Sequence, residues 1–229
     1  LGPVKYHNVV ASIKGTKYPD EYVIISGHLD SYDVATGGID CGTGIGPMME
    51  AARMIALSGA KLKRTILFVA FAGEEFGLLG AKAYVKTHAK ELGKIANLFN
   101  RDGGPTPPVG ISVPQAMYDD FVEVCKPVKE IRADYPFEVK VAKPFKRPTQ
   151  SGGTDASVFA VEGVPTFGFN TQDIKGYNFS YGEIWHTERD LYTKNIPEYQ
   201  EHAATVTAVV ALGIANLSKQ LSREGMHKK

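Results

Sequence analysis

The stretch "YVIISGHLDS", residues 22–31, decides the fold. Its first part, residues 22–26, is nearly continuously apolar, which is typical of a strand covered on both faces of a sheet. His28 and Asp30 follow directly, at the point where this buried strand should end. A histidine and a carboxylate at a strand end indicate an α/β domain with a polar site beyond the sheet.

Similar runs recur along the chain and alternate with helical patterns. Residues 65–71 form a second continuous apolar run, and further strands are predicted at residues 7–13, 95–100, 109–113, 137–141 and 166–169. Apolar spacing predicts helices at residues 45–56, which Gly59 ends, and at 78–90, 117–130 and 206–221. The alternation predicts an open, mostly parallel sheet with helices on both sides.

Composition narrows the class of protein. The chain has 229 residues, 43% of them hydrophobic, and no composition shift, so residues 1–229 are predicted to form a single domain. A formal net charge of +1 argues against a nucleic-acid surface or a polybasic membrane surface. The apolar stretches have strand length, and no signal peptide pattern is present. Two distant cysteines make no disulfide framework.

Several polar residues follow the predicted strands or lie in nearby loops. They are His28 and Asp30 in "GHLDS", Asp40 in "TGGIDCGTG", Glu74 and Glu75 in "AGEEFG", Asp102 in "NRDGG", and His186 and Asp190 in "EIWHTERD". Each one alone has an ordinary structural interpretation, such as a helix cap, a turn or a solvated carboxylate. Because strand ends meet at one edge of an α/β sheet, their number predicts one shared site.

The residue types indicate a metal centre. Two histidines with at least three carboxylates suit zinc, manganese or cobalt. Asp40 is the candidate bridge between two ions, because it lies between the other residues in a glycine loop. Of the adjacent glutamates, one can bind metal while the other serves as general base. Asp30 is predicted to accept the other imidazole N–H of His28 and to orient that ring.

The order His-x-Asp, Asp, Glu-Glu, Asp, His resembles the co-catalytic zinc exopeptidases of the aminopeptidase Y and bacterial leucyl aminopeptidase type. The plasma glutamate carboxypeptidase branch is the most similar. The matching stretches are "GHLDSYDVATGGIDCGTG", "FVAFAGEEFGLLGAKAY", "NRDGG", "GGTDASVFAVEGVPTFGF" and "WHTERDLY".

The resemblance implies a three-layer α/β/α sandwich around a central mixed, mostly parallel sheet, with two zinc ions per chain. One ion would be held by His28, Asp102 and the bridging Asp40. The other would be held by Glu75, His186 and the same Asp40, with Glu74 as general base. It also implies that Asp30 orients the first histidine, that Asp155 borders the site, and that an aspartate is common at the position of Asp190.

Two departures from this pattern stand out. Cys41 occupies the position where many relatives have a second aspartate, and a thiol there is expected to be a small buried residue, although it could alter metal preference. Plasma-type relatives also carry an N-terminal segment and a protease-associated domain before "NVVASIKG", so the chain is expected to be a catalytic-domain fragment. In a sister family an inserted domain separates the first histidine from the bridging aspartate. His28 and Asp40 are only twelve positions apart, which leaves no room for it.

The expected function is hydrolysis of peptide bonds near the N-terminus of peptides or dipeptides by a dinuclear zinc aminopeptidase or dipeptidase. Cobalt or manganese are expected substitutes, the partner is a small peptide substrate, and a periplasmic or secreted location follows from the relatives. One alternative is a carboxypeptidase for acidic C-termini, served by basic residues among Arg101, Lys143, Lys146 and Arg147. Another, of a different class, is a non-catalytic binding domain of the transferrin-receptor type. That branch has lost metal ligands, whereas all five candidate ligands and the candidate base are present in this chain. Side-chain preference and oligomeric state are left open.

Overall fold

A four-stranded sheet lies at the centre of the computed structural model, which describes residues 2–226. Its strands are β1 (Val9–Ile13), β2 (Tyr18–His28), β3 (Arg64–Phe71) and β4 (Ile95–Asn100), in the spatial order β1-β3-β2-β4. β2 is parallel to both of its neighbours, and β1 is antiparallel to β3. The carboxyl ends of three adjacent strands therefore meet at one edge. Residue 1 and residues 227–229, which the predicted domain includes, lie outside the described part.

A second, three-stranded sheet has the order β6-β5-β7. It consists of β5 (Pro108–Pro114), β6 (Glu138–Ala142) and β7 (Phe169–Thr171); β5 is parallel to β6 and antiparallel to β7. The backbone N–H of Leu98 in β4 donates to the carbonyl of Pro165 at 2.9 Å, so the segment before β7 runs beside the first sheet. The predicted mixed, mostly parallel arrangement is confirmed, with its hydrogen bonds divided between two sheets.

Helices cover both faces of the four-stranded sheet. They are α1 (Gly42–Leu57), α2 (Leu79–Thr87), α3 (Tyr118–Ile131), α4 (Asp155–Val161) and α5 (Pro197–Ala215), with short 3₁₀ turns at Leu92–Lys94, Gln115–Met117, Tyr181–Glu183 and Tyr192–Lys194. α1 and α5 pack together on β2, whereas α2 and α4 pack together on the other side, where α4 contacts β4. This is the predicted three-layer α/β/α sandwich.

The apolar core shows why the strands have continuous rather than alternating apolar sequences. In β2, Val23 and Ile25 pack into the cluster that includes the apolar residues of α1 and α5, whereas Ile24 packs into the cluster with α2 and α4. Phe68 and Val69 of β3 divide in the same way. Because successive side chains point to opposite faces, a sheet buried on both faces requires apolar residues at every position.

The structure differs from the predicted elements in three places. The last helix begins at Pro197 and ends at Ala215 rather than covering residues 206–221, because proline at the first helical position starts it early. Leu221 is buried beyond the helix end and still joins the large core cluster, so its apolar character reflects packing and not helical spacing. α4 was not predicted, since seven residues are too few for a clear periodicity. In the region of the predicted strand at 166–169, only Phe169 belongs to β7.

None of the helices formed by residues 2–226 combines the length and the apolar character that crossing a bilayer requires.

Candidate metal centre

The carboxyl ends of three parallel strands bring the first predicted site residues together. β2 ends at His28, β3 is followed after Phe71 by the turn that carries Glu74 and Glu75, and β4 is followed by Asp102. Since β2 lies between β3 and β4, its terminal histidine stands between carboxylates from both neighbours. These residues lie at the carboxyl-terminal edge of the sheet, as predicted.

His28 lies between two carboxylates. Its Nε2 is 3.1 Å from Asp40 Oδ1 and 3.4 Å from Asp102 Oδ1, and the His28 side chain is buried. Burial by itself lowers the pKa of His28, but hydrogen bonds to Asp102 and Asp40 outweigh it and raise the pKa to about 12. The hydrogen bond with His28 also holds the pKa of Asp40 below its usual range against the effect of burial. Two carboxylates facing one imidazole nitrogen favour a positive charge between them, which a divalent cation would supply beside a neutral ring.

A second histidine stands opposite another carboxylate. His186 Nε2 is 2.8 Å from Glu75 Oε2. The imidazole is held between two aromatic rings, with Tyr32 at a centroid distance of 4.0 Å and Trp185 at 4.2 Å. These contacts fix the plane of a ring that comes from a loop rather than from a strand.

Asp40 connects the two groups. Ligand atoms of His28, Asp40 and Glu75 lie within 4.8 Å of one another, while Asp40 Oδ1 also bonds His28 on the side of Asp102. Asp40 is therefore a carboxylate close to both groups, as a bridge must be. The five predicted donors occupy one small region, although the ligand role of each stays a prediction.

Asp190 holds the loop that carries Asp40. Its Oδ1 accepts a hydrogen bond from the backbone N–H of Ile39 at 2.6 Å, and its Oδ2 accepts one from the N–H of Asp40 at 3.2 Å. Burial raises the pKa of Asp190, and these two N–H donors partly offset it. The sequence alone did not indicate the role of Asp190. In the structure, its carboxylate positions the backbone of the candidate bridge, Asp40.

Asp30 makes contacts that differ from the sequence prediction. His28 Nδ1 is 2.9 Å from the backbone oxygen of Asp30, whereas the carboxylate lies 3.8 Å away, beyond hydrogen-bond distance. Instead, Oδ1 and Oδ2 accept the backbone N–H groups of Glu74 and Glu75, each at 3.1 Å. The expected orienting bond is thus made by the main chain, because the side chain turns toward the glutamate turn.

The remaining charges fit a cation site. Glu74 is buried, and burial, with the charge of Asp102 adding to it, raises the pKa of Glu74 to about 8. Glu75 Oε1 is buried without a hydrogen-bond partner. Ionised carboxylates gathered away from water are costly unless cations accompany them, and histidine nitrogen with carboxylate oxygen is a donor set that zinc accepts. The described residues therefore fit a divalent metal.

A cavity of about 530 Å³ opens beside these residues. Tyr181 lines it, and its side chain forms a hydrogen bond with Asp40. Burial raises the pKa of Asp40, and this hydrogen bond adds to the larger lowering effect of His28. Tyr181 was not predicted as a site residue, since a tyrosine in a short 3₁₀ turn has no signal of its own in the sequence.

Two further buried residues lie nearby. Asp155 has both carboxylate oxygens without partners, and burial raises its pKa to about 7. The Cys41 thiol is buried and donates to the Arg101 carbonyl at 3.0 Å, which agrees with the small buried residue that was expected. Burial raises the pKa of Cys41 to about 12.

The basic residues suggested for carboxylate recognition lie elsewhere. Arg101 donates to the carbonyls of Thr43, Gly104 and Thr106, and Arg147 donates to the carbonyl of Val161. None of Arg101, Lys143, Lys146 and Arg147 is among the described residues that line the cavity. These four residues therefore do not support the carboxypeptidase alternative.

A three-layer sandwich with clustered histidines and carboxylates at its strand ends defines a metallohydrolase-type domain. Comparison with known proteins narrows this class: the sequence profile of Peptidase family M28 matches residues 8–210. The chain belongs to peptidase family M28, a family of co-catalytic zinc exopeptidases, near the carboxypeptidase Q branch.

Individual relatives agree with this assignment. Carboxypeptidase Q of Rattus norvegicus is 32% identical over 216 residues, which cover 94% of this chain and 43% of the relative. Carboxypeptidase Q of Homo sapiens is 29% identical, with the same two coverages. The chain thus spans less than half the length of these curated relatives.

Solved structures give the same result. A peptidase M28 precursor from Shewanella amazonensis SB2B superposes with a TM-score of 0.77 at 34% identity, covering 94% of this chain and 46% of that one. BSAP, a zinc aminopeptidase from Bacillus subtilis, has a TM-score of 0.67 at 22% identity over 96% of this chain and 53% of its own. At that identity the second likeness supports the fold alone.

Proposed function

We propose that this chain is the catalytic domain of a dinuclear zinc exopeptidase that hydrolyses peptide bonds near the N-terminus of peptides or dipeptides. The observation that carries the proposal is the position of Asp40, whose carboxylate is 3.1 Å from His28 Nε2 and belongs with both His28 and Glu75 to one group of ligand atoms within 4.8 Å. One carboxylate shared by two donor groups suits two ions better than one.

The donors divide into two sets. His28, Asp102 and Asp40 would hold one ion, and Glu75, His186 and Asp40 the other. The short distances join His28 to Asp40 and Asp102, and His186 to Glu75, while Asp40 and Glu75 meet in the group within 4.8 Å that also contains His28. When bound, two zinc ions supply a water of lowered pKa and polarise the scissile carbonyl.

Glu74 would act as general base. It lines the cavity next to Glu75, and burial keeps its carboxyl away from bulk water. Its carboxylate takes a proton from the attacking water and delivers it to the leaving amine, as a single positioned carboxyl can do in both directions. Asp30 holds the backbone of both glutamates and so keeps base and ligand in register.

Substrate is expected to reach the centre through the cavity. Free amino groups are attracted by the carboxylates of Asp40, Glu74, Glu75 and Asp102, which line one part of its wall. This supports cleavage beside a free N-terminus.

Zinc analysis and a substrate panel test the proposal. The zinc-loaded protein should contain two ions per chain and hydrolyse aminoacyl and dipeptide substrates. The names of the carboxypeptidase Q relatives favour a second candidate, removal of C-terminal residues. N-acetylated dipeptides separate the two, because an aminopeptidase requires the free amine. Hydrolysis of acetylated but not free substrates would reject the first proposal.

Other expectations stay proposals. Cobalt or manganese would replace zinc, the chain would act outside the cytoplasm, and small peptides would be its partners.

A further inference from the structure

The cavity beside the candidate metal centre contains a positive charge that the proposed chemistry does not use. Asp40, Glu74, Glu75 and Asp102 line it, and Lys82 is the one lysine or arginine among its described lining residues. A cation in the same wall as these four carboxylates is suited to a negative group of the substrate.

Lys82 is tied to the turn that carries the two glutamates. It lies in α2, and its Nζ donates to the carbonyl of Gly77 at 2.8 Å. Gly77 follows Glu75 by two residues and lines the same cavity. An ammonium group has three N–H donors, so two remain for a ligand.

Lys82 also lies at the boundary of a second cavity. This one, of about 440 Å³, shares Lys82 and Ser151 with the first. Its wall is largely aliphatic, with Val85, Leu92, Val158 and Val161. Lys86 and Glu162 also line it. Lys82 and Ser151 therefore lie between a cavity with carboxylates in its wall and an apolar one.

We propose that Lys82 and the second cavity form the subsite for the residue after the scissile bond. The Lys82 ammonium binds the free carboxylate of that residue, and the aliphatic cavity takes its apolar side chain. The substrate class is then a dipeptide with an apolar C-terminal residue. This inference rests on the proposed function, since it takes the scissile bond to lie at the candidate metal centre.

The Lys82 ammonium and the aliphatic cavity match neighbouring groups of the same substrate residue. A zwitterionic dipeptide carries opposite charges at its two ends, so a carboxylate-lined wall and a separate ammonium match it along its length. A carboxylate held at the boundary leaves the adjoining side chain next to the aliphatic wall. Burying that side chain is favourable in proportion to its apolar area.

Binding measurements test Lys82 without depending on turnover. Calorimetry on zinc-loaded Glu74→Gln protein compares alanyl-leucine with alanyl-leucinamide, which lacks the carboxylate. Adding Lys82→Met should weaken binding of the acid by about 2- to 5-fold, the range expected for an exposed ion pair, and should leave the amide unchanged. Lys90→Met, at an exposed lysine that lies shortly after the same helix and lines neither cavity, is the matched control and should change neither.

Kinetics on the wild-type background test the same residue independently. Lys82→Met should raise KM for alanyl-leucine with little change in kcat, and Lys82→Arg should restore most of the loss. Ala89→Phe, an exposed position that lines the second cavity, should reduce the preference for alanyl-leucine over alanyl-alanine without affecting zinc content.

The outcomes separate this inference from the proposed function. Equal binding of acid and amide, absence of binding for both, or an equal effect of Lys90→Met overturns the assignment of Lys82. An unchanged leucine preference in Ala89→Phe overturns the aliphatic cavity. If zinc-loaded wild type hydrolyses no peptide substrate, the proposed function fails, and the calorimetric comparison still decides on Lys82.

Discussion

Replacing Asp30 with asparagine tests how the candidate site is held together. In the structure, its two carboxylate oxygens accept the backbone N–H groups of Glu74 and Glu75, each at 3.1 Å. The ring of His28 bonds the Asp30 main chain instead, and the substitution leaves that bond in place. Asp30→Asn should therefore disturb the glutamate turn and spare the histidine.

The size of the effect follows from the contacts. Asparagine keeps one acceptor oxygen and places an N–H₂ group against the other backbone N–H, so one bond to a charged acceptor is lost. Such a bond contributes about 1.5–3 kcal/mol. If the whole loss is transmitted to Glu75, zinc affinity at its ion falls by about 10- to 150-fold.

Zinc titration against a competing chelator measures this loss, and anomalous scattering from crystals locates it. We expect reduced occupancy at the ion beside Glu75 and His186, with full occupancy beside His28 and Asp102. Asp33→Asn is the matched control, because this exposed aspartate lies three residues further along the same loop.

The opposite pattern would refute the reasoning. Loss of the ion beside His28, with the ion beside Glu75 retained, would mean that the Asp30 carboxylate orients the imidazole, as the sequence alone suggested. Equal zinc affinity in wild type and Asp30→Asn would show that neither contact matters.

Three further predictions concern the same chain. Glu74→Gln should keep both zinc ions while kcat falls by about 10²–10⁴-fold, whereas Glu75→Gln should lose an ion; zinc stoichiometry and kcat check both, and a reversed pattern would exchange their roles. Asp40→Ala should remove more zinc per chain than Asp30→Ala, since a bridge serves two ions; comparable losses would contradict the bridge. Burial lowers the pKa of His202 from 6.5 to about 4, so the unfolded chain binds the proton first as pH falls. The stabilising contribution of neutral His202 is complete above about pH 6.5 and declines toward pH 4, by up to about 3 kcal/mol. Denaturant titrations across this range should show a shallower pH dependence for His202→Gln, and parallel curves would disprove the assignment.

Much of the site was predictable because its chemistry is local to strand ends. His28 is the last residue of β2, and Asp102 lies two residues after the end of β4. Glu74 and Glu75 lie three and four residues after the end of β3. Apolar runs locate strands and polar residues mark where they stop, so their meeting at one edge follows from the order of elements.

Other contacts could not be predicted from spacing. Asp190 bonds the backbone of Ile39 and Asp40 across about 150 positions of sequence, and Tyr181 reaches Asp40 from a short 3₁₀ turn. Neither segment has a periodicity that defines its path. The place of Lys82 between two cavities likewise depends on how α2 packs against α4.

The sequence by itself determined the fold class, the family and the candidate donor set, because apolar periodicity and residue type are properties of short stretches. Only the tertiary structure decided which atoms meet. It turned the Asp30 carboxylate toward the glutamate turn and away from His28, and it placed Lys82 rather than Arg101 in the cavity wall. The physical reason is that side-chain direction and long-range loop paths depend on packing of the whole chain, which no local pattern encodes.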